Sequence, residues 1–125
     1  MTPPDHIITR YITCYNALDV DGMLECVTDD VIFENISNTG QSMRFEGRDA
    51  MGEIARLSGN AFSYRRQKIV TLIENGNLAS AEVAFEAKAA VDLPTGAKAG
   101  EMIHMRGASF FELRDGLLCR IADYS

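Results

Sequence analysis

The sequence predicts an α+β fold. Apolar residues recur at helical spacing near its start, and much of its second half alternates with the period of a strand. Asn-Gly and Asp-Gly pairs then punctuate the alternating part as hairpin turns. Helices gathered ahead of a meandering antiparallel sheet define that class.

The first helix is expected to open at Thr2, which can cap it. Pro3 and Pro4 suit the first helical positions, and Asp5 faces the positive end of the dipole. Ile7, Ile8, Tyr11, Ile12, Tyr15 and Leu18 form one apolar stripe. Asp19 or Asp21 starts a second, short helix with Val20, Met23, Leu24 and Val27 on its buried side, and Thr28-Asp29-Asp30 breaks it. Val31-Ile32-Phe33 begins a strand, because β-branched and aromatic side chains fit a pleated surface. The polar stretch from Asn38 to Gly47 reads as a loop. A third helix follows from Asp49 to Leu57, with Met51, Ile54, Ala55 and Leu57 apolar.

From Phe62 onward the helical period is gone. A strand over Tyr64–Glu74 runs into the turn Asn75-Gly76-Asn77, and the next strand places Ala79, Ala81, Val83, Phe85, Ala87, Ala89, Val91 and Leu93 on one face. Pro94-Thr95-Gly96 turns the chain. A long strand over Met102–Leu113 ends at Arg114-Asp115-Gly116, and Leu117–Tyr124 closes the sheet.

With 125 residues, 46% of them hydrophobic and 24% charged, the chain has the length and composition of a single domain spanning 1–125. It contains no internal repeat, linker or low-complexity tract. The net charge of -6 argues against a nucleic-acid partner, which would need clustered Lys and Arg. No apolar run approaches the roughly 18 residues of a membrane span, and no secretory signal is visible. Cys14, Cys26 and Cys119 are odd in number and widely spaced, so reduced thiols and a cytoplasmic location are expected. With only His6 and His104 and no HExxH, GxGxxG, P-loop or GxSxG motif, neither a metal nor an organic cofactor is expected.

Particular residues draw attention. Asp123 follows Leu117, Cys119 and Ile121 on one strand face, where desolvation would raise its pKa and suit it to proton transfer. The alternative is a frayed, wet position two residues from the end. Tyr11 and Tyr15, four apart on the first helix, can both reach the sheet side and offer phenol hydroxyls to a ligand, or serve as ordinary core. Strand parity puts His104 and Arg106 opposite Ser109, Phe111 and Leu113 unless a bulge near Gly107 intervenes. Arg65-Arg66 with Lys68 reads as a solvated strand, and methionines such as Met43, Met51, Met102 and Met105 as core or adaptable cavity lining.

Three stretches together resemble ketosteroid isomerases and their SnoaL-like relatives. They are Arg10-Tyr11 with Asn16–Gly22, Asp29–Asn35, and Leu93-Pro94-Thr95-Gly96 with Phe111–Gly116 and Asp123-Tyr124. The resemblance covers essentially the whole chain and implies the nuclear-transport-factor-2-like fold. That fold is a cone of strongly curved, mainly antiparallel sheet, with about three helices over its concave side and a mostly apolar pocket. It also implies catalytic roles for Asp123 and Tyr11 and ligand contacts from Asn35, Tyr15, Ser109 and Phe111. The isomerase base falls at Asn35, which cannot take a proton at neutral pH, and the second oxyanion donor falls near Ser109. Limonene epoxide hydrolases, another branch, use Arg and two Asp. Those positions fall at Glu86, Lys88 and Asp123, which would put Glu86 and Lys88 in the pocket and free the alanine stripe for a dimer contact; if the lumen lies on the other side, Glu86 and Lys88 are a solvated pair instead. The function implied is cofactor-independent acid–base catalysis, of isomerase, cyclase or hydrolase type, on a small apolar molecule, by a homodimer paired through its outer sheet face. The alternative is a non-catalytic ligand-binding or dimerisation module on the same fold.

Overall fold

The computed structural model describes residues 6–125, so the expected cap at Thr2 and the residues Pro3, Pro4 and Asp5 lie outside the described residues. The first helix, α1, spans Ile7–Asn16 and is capped by His6, whose Nδ1 accepts from the Ile8 amide. Ile8, Tyr11 and Ile12 are its buried residues. Leu18 does not continue the stripe, because it sits beyond the helix at φ 58° and is 40% exposed.

Of the two candidate starts, Asp19 caps α2 (Val20–Glu25) by accepting from the Gly22 amide, and Asp21 lies in the first turn. Strand β1 (Val27–Ile36) starts earlier than expected. Thr28–Val31 bulge out of its ladder with the last strand, and regular pairing resumes at Ile32. The polar stretch read as a loop contains a short strand, β2 (Met43–Glu46), antiparallel to β1. Its alternation is too brief and too exposed to carry a periodic signal. The third helix, α3, spans Arg48–Gly59; Met51 is buried, whereas Leu57 is 68% exposed rather than part of the core.

Strands β3 (Phe62–Asn75) and β4 (Leu78–Ala89) form a hairpin through Gly76 and Asn77, with Gly76 at φ 61°. β4 ends at Ala89, so Val91 and Leu93 belong to the following loop and not to the alternating face. β5 (Met102–Arg114) and β6 (Leu117–Tyr124) meet at Asp115-Gly116, both with positive φ as a type I′ hairpin turn requires.

The six strands form a curved, unclosed mixed sheet in the order β2-β1-β6-β5-β4-β3. Among the described residues only β1 and β6 run parallel. The three helices cover one face, and the core lies between: Ile8, Met23 and Met51 from the helices meet Val31, Phe111 and Ile121 from the sheet. Burying each such side chain contributes about 1.5–3 kcal/mol. The alanine stripe of β4 is on this inner face, with Ala79, Ala81, Ala87 and Ala89 buried. It is therefore not free to form a dimer contact. Small side chains there leave room for helices above and for a cavity beside them.

Candidate active site

Residues of all three helices and all six strands, together with Leu93, Pro94 and Thr95 of the β4–β5 loop, line a cavity of about 550 Å³. That volume suits a molecule of a few fused rings. Met23, Phe33, Met51, Val83 and Phe85 give it apolar walls. Met43 and Met105 also border it, whereas Met102 does not.

Asp123 reaches this cavity, though not by the apolar row its spacing suggested. β6 carries one extra residue, Cys119, between its pairings with Leu113 and Glu112. The bulge reverses strand parity, so Leu118 and Ile121 precede Asp123 on the inner face rather than Leu117 and Cys119. Nor is the strand end frayed. Asp123 pairs with Asn35 on one side and Ser109 on the other, and the ladder continues beyond it as Ser125 donates to the Ile36 carbonyl at 3.1 Å. The Ser109 hydroxyl donates to Asp123 Oδ1 at 2.7 Å. Desolvation by the cavity wall pushes the Asp123 carboxyl up to about 6, and the Ser109 hydrogen bond holds it back in part.

Tyr11 is 3% exposed and borders the same cavity. Burial first, and then the neighbouring Asp123 carboxylate and Tyr15 phenol, raise its pKa well above the ordinary tyrosine value, with Arg65 opposing. Its hydroxyl therefore stays protonated and able to donate. Tyr15 lines the cavity four residues on, its phenol likewise raised mainly by burial. Asn35 stands at the cavity edge and is exposed. Ser109 borders the space too, but its hydroxyl is committed to Asp123.

Three expected pocket residues lie elsewhere. Phe111 is 2% exposed and is packed within the core rather than lining the cavity. Glu86 and Lys88 are on the opposite, outer face of β4, because the odd-numbered residues of that strand face the helices. There Glu86 accepts from the Tyr64 hydroxyl at 2.5 Å, with His104 Nδ1 4.0 Å away. The β4–β5 register runs without a bulge past Gly107, so the His104 and Arg106 side chains are outside as parity required. Arg106 pairs there with Glu82 at 2.9 Å. A groove on this face is bordered by Arg66, Lys68 and Glu86 together with His104 and Arg106.

Arg65 is a correction of another kind. Instead of standing in solvent with Arg66 and Lys68, it is 3% exposed and borders the cavity. Its guanidinium lies 3.7 Å over the Tyr15 ring, and Nε donates to the Tyr15 carbonyl at 3.2 Å. Asn16 fixes this corner by bracketing the Gln67 backbone on the edge strand. Its amide donates to the Gln67 carbonyl at 3.0 Å and accepts from the Gln67 N–H at 2.8 Å. Period-2 parity with Ile69, a partly buried residue packed on the core, was the signal that could have placed Arg65 inward.

A helix-covered, strongly curved sheet around an apolar cavity defines the nuclear-transport-factor-2-like, or cystatin-like, class of α+β proteins. Within it the chain belongs to the SnoaL-like domain family, whose model matches residues 8–121. Among solved structures it is similar to a proposed polyketide cyclase from Xanthomonas campestris pv. campestris, with 22% identity, a TM-score of 0.73, and coverage of 95% of this chain and 87% of that one. A ketosteroid isomerase-like protein from Catenulispora acidiphila, crystallised with trimethylamine, shares 14% identity at a TM-score of 0.79, covering 99% and 87%. An epoxide hydrolase from M. tuberculosis shares 18% at 0.74, covering 94% and 78%. At these identities the likeness is one of fold. No curated protein matches the chain by sequence.

Proposed function

We propose that this protein is a cofactor-independent acid–base catalyst that moves a proton on a small apolar carbonyl compound held in the cavity, as an isomerase or cyclase does. The observation that carries this reading is a carboxyl with a pKa near 6 sharing an apolar cavity with a buried phenol that stays protonated. Near neutral pH such a carboxyl can both accept and return a proton. Asp123 takes a proton from the carbon beside the carbonyl, and the electron pair moves onto the carbonyl oxygen. The Tyr11 hydroxyl donates to that oxygen, where negative charge develops. Ser109 fixes Oδ1 of the base, and the Asn35 amide can hold a second polar group at the cavity edge. Asp123 then returns the proton at another position; in a cyclase the carbanion instead adds to a second carbonyl carbon of the same molecule, whose C=O π electrons move onto its oxygen, and Asp123 gives its proton to that alkoxide. On an epoxide the same carboxylate would activate water instead, the hydrolase variant of this chemistry.

A non-catalytic binding module would be favoured by a cone filled with side chains; the open cavity supports the catalytic reading. The partner we propose on the outer sheet face is a second copy of the chain, in keeping with the partly exposed Val70, Met102 and Phe110. The free cysteines suit the cytoplasmic setting proposed here, and no helix among the described residues is long and apolar enough to cross a membrane.

The test is deuterium exchange. Fused-ring ketones such as tetralones and decalones, incubated with the protein in heavy water, should gain deuterium beside the carbonyl, read by mass spectrometry. The rate should rise as pH increases to about 6 and then level off, because the base must be ionised. Asp123→Asn should remove the exchange. Exchange that persists in that variant, or none with any ketone, contradicts the proposal.

A further inference from the structure

We infer that Arg65 anchors an anionic oxygen group, a carboxylate, on the molecule that enters the cavity. The substrate class is thus an apolar ring compound with an acidic group at one end and the reacting carbonyl at the other. The inference extends the reading above and rests on it for the second half of that description.

Six other arginines, at positions 44, 48, 56, 106, 114 and 120, have carboxylate partners. Arg65 forms no ion pair among the described residues although it is far more buried than these, and its Nη2 has no hydrogen-bond partner there. An uncompensated buried cation is costly to keep. The Tyr15 ring and carbonyl compensate it only in part, since neither carries a negative charge. The Tyr15 carbonyl that Arg65 touches already accepts from the Leu18 amide at 3.1 Å, so it would not be orphaned without the arginine. Nor does the strand need a charge there, since its cross-strand neighbour is the buried Ala87.

The charge instead borders the cavity, centred 3.7 Å from the Tyr15 ring centroid and with its Nε tethered. A guanidinium tethered at Nε has donors left over for a carboxylate, the unpartnered Nη2 being buried at the cavity wall. No ion pair joins it to Asp123 among the described residues: Arg65 is on β3, level with Ile103 of β5, and Asp123 on β6, level with Ser109, so the two are three strands apart and offset along the strands as well. Tyr11 and Tyr15 border the same space, each sensing both charges. The cavity thus has a fixed cation toward one side, a proton-transfer group toward the other, and apolar walls between them. A flat bicyclic or tricyclic acid fits that distribution of chemistry.

The test uses 2-naphthoate and its neutral counterpart 2-acetonaphthone as probes, with affinities measured by calorimetry at about pH 8, where Asp123 is ionised. The acid should bind about tenfold or more tighter than the ketone, as a charge-assisted contact in a dry site gives. Arg65→Gln should erase the difference, and Arg65→Lys should keep part of it. Thermal unfolding of both variants checks that they fold, and Lys at this position retains a cation if the Gln variant does not. Equal binding of the two probes, no saturable naphthoate binding, or a preference that survives Arg65→Gln overturns the inference. Asp123→Asn separates the two proposals, because it should abolish proton exchange while leaving the preference for the acid intact. Preference without exchange in the parent protein would refute only the proposed function, and exchange without preference only this inference.

Discussion

Replacing Asp123 with Asn should stabilise the protein, by an amount that depends on pH. The carboxyl moves from its ordinary value of 3.8 to about 6 because the folded state desolvates it. That difference means the ionised form costs the folded state about 3 kcal/mol relative to the unfolded chain. The sign is fixed by linkage. Between about pH 4 and 6 the native state holds a proton that the unfolded state has released, so stability falls as pH rises through this window. Above the window the cost is fully present; below it Asp123 is neutral in both states and contributes none. The asparagine of the variant would keep an oxygen to accept from Ser109 but could not ionise. Urea unfolding of both proteins should therefore give equal stabilities near pH 4 and an advantage to the variant that grows to about 3 kcal/mol by pH 7. At neutral pH that advantage corresponds to a Tm higher by roughly 6–15 °C for a domain of this size. A difference that is constant across pH, or a variant less stable than the parent at pH 7, would refute the argument and assign Asp123 a structural role.

Two further outcomes follow from the geometry. A Cβ on Gly107 would sit 2.6 Å from the Tyr124 carbonyl oxygen, a backbone atom that cannot rotate away. Gly107→Ala should thus cost about 1–3 kcal/mol in urea unfolding and slow proton exchange by shifting the strand end that carries Asp123; a neutral effect on both would show that this end yields freely. Pairing through the outer sheet face predicts a dimer by sedimentation at micromolar concentration, which Val70→Lys combined with Phe110→Lys should dissociate. A monomer in the parent protein refutes it.

Most of the fold was legible because periodicity and turn chemistry survive in isolation. The Asp115-Gly116 turn and the limits of β6 match their sequence signals, and Asp19, one of two candidate starts, caps α2. What was not legible depended on events with no periodic trace. A single extra residue at Cys119 reverses the parity of the strand end that bears Asp123. Short, exposed β2 has too few residues to alternate visibly. For Glu86 and Lys88 the family resemblance points into the pocket, whereas the alternation of their own strand sets them outside. The buried alanines opposite them follow that alternation. Arg65 was misread for a local reason, since Arg66 and Lys68 make it look solvated, while what buries it is Tyr15, fifty residues away in sequence. Tertiary context of that kind overrides local composition, and it does so here beside the cavity.

The most direct measurement is a carbon-13 NMR titration of the Asp123 carboxyl, assigned by its absence in Asp123→Asn. The account predicts a midpoint near 6, moving up by about one pH unit in Ser109→Ala, where the hydroxyl that favours the carboxylate is lost. A midpoint near 3.8 in the parent protein, unmoved by Ser109→Ala, would mean that the carboxylate is well solvated, and it would remove the basis for proton transfer in this cavity.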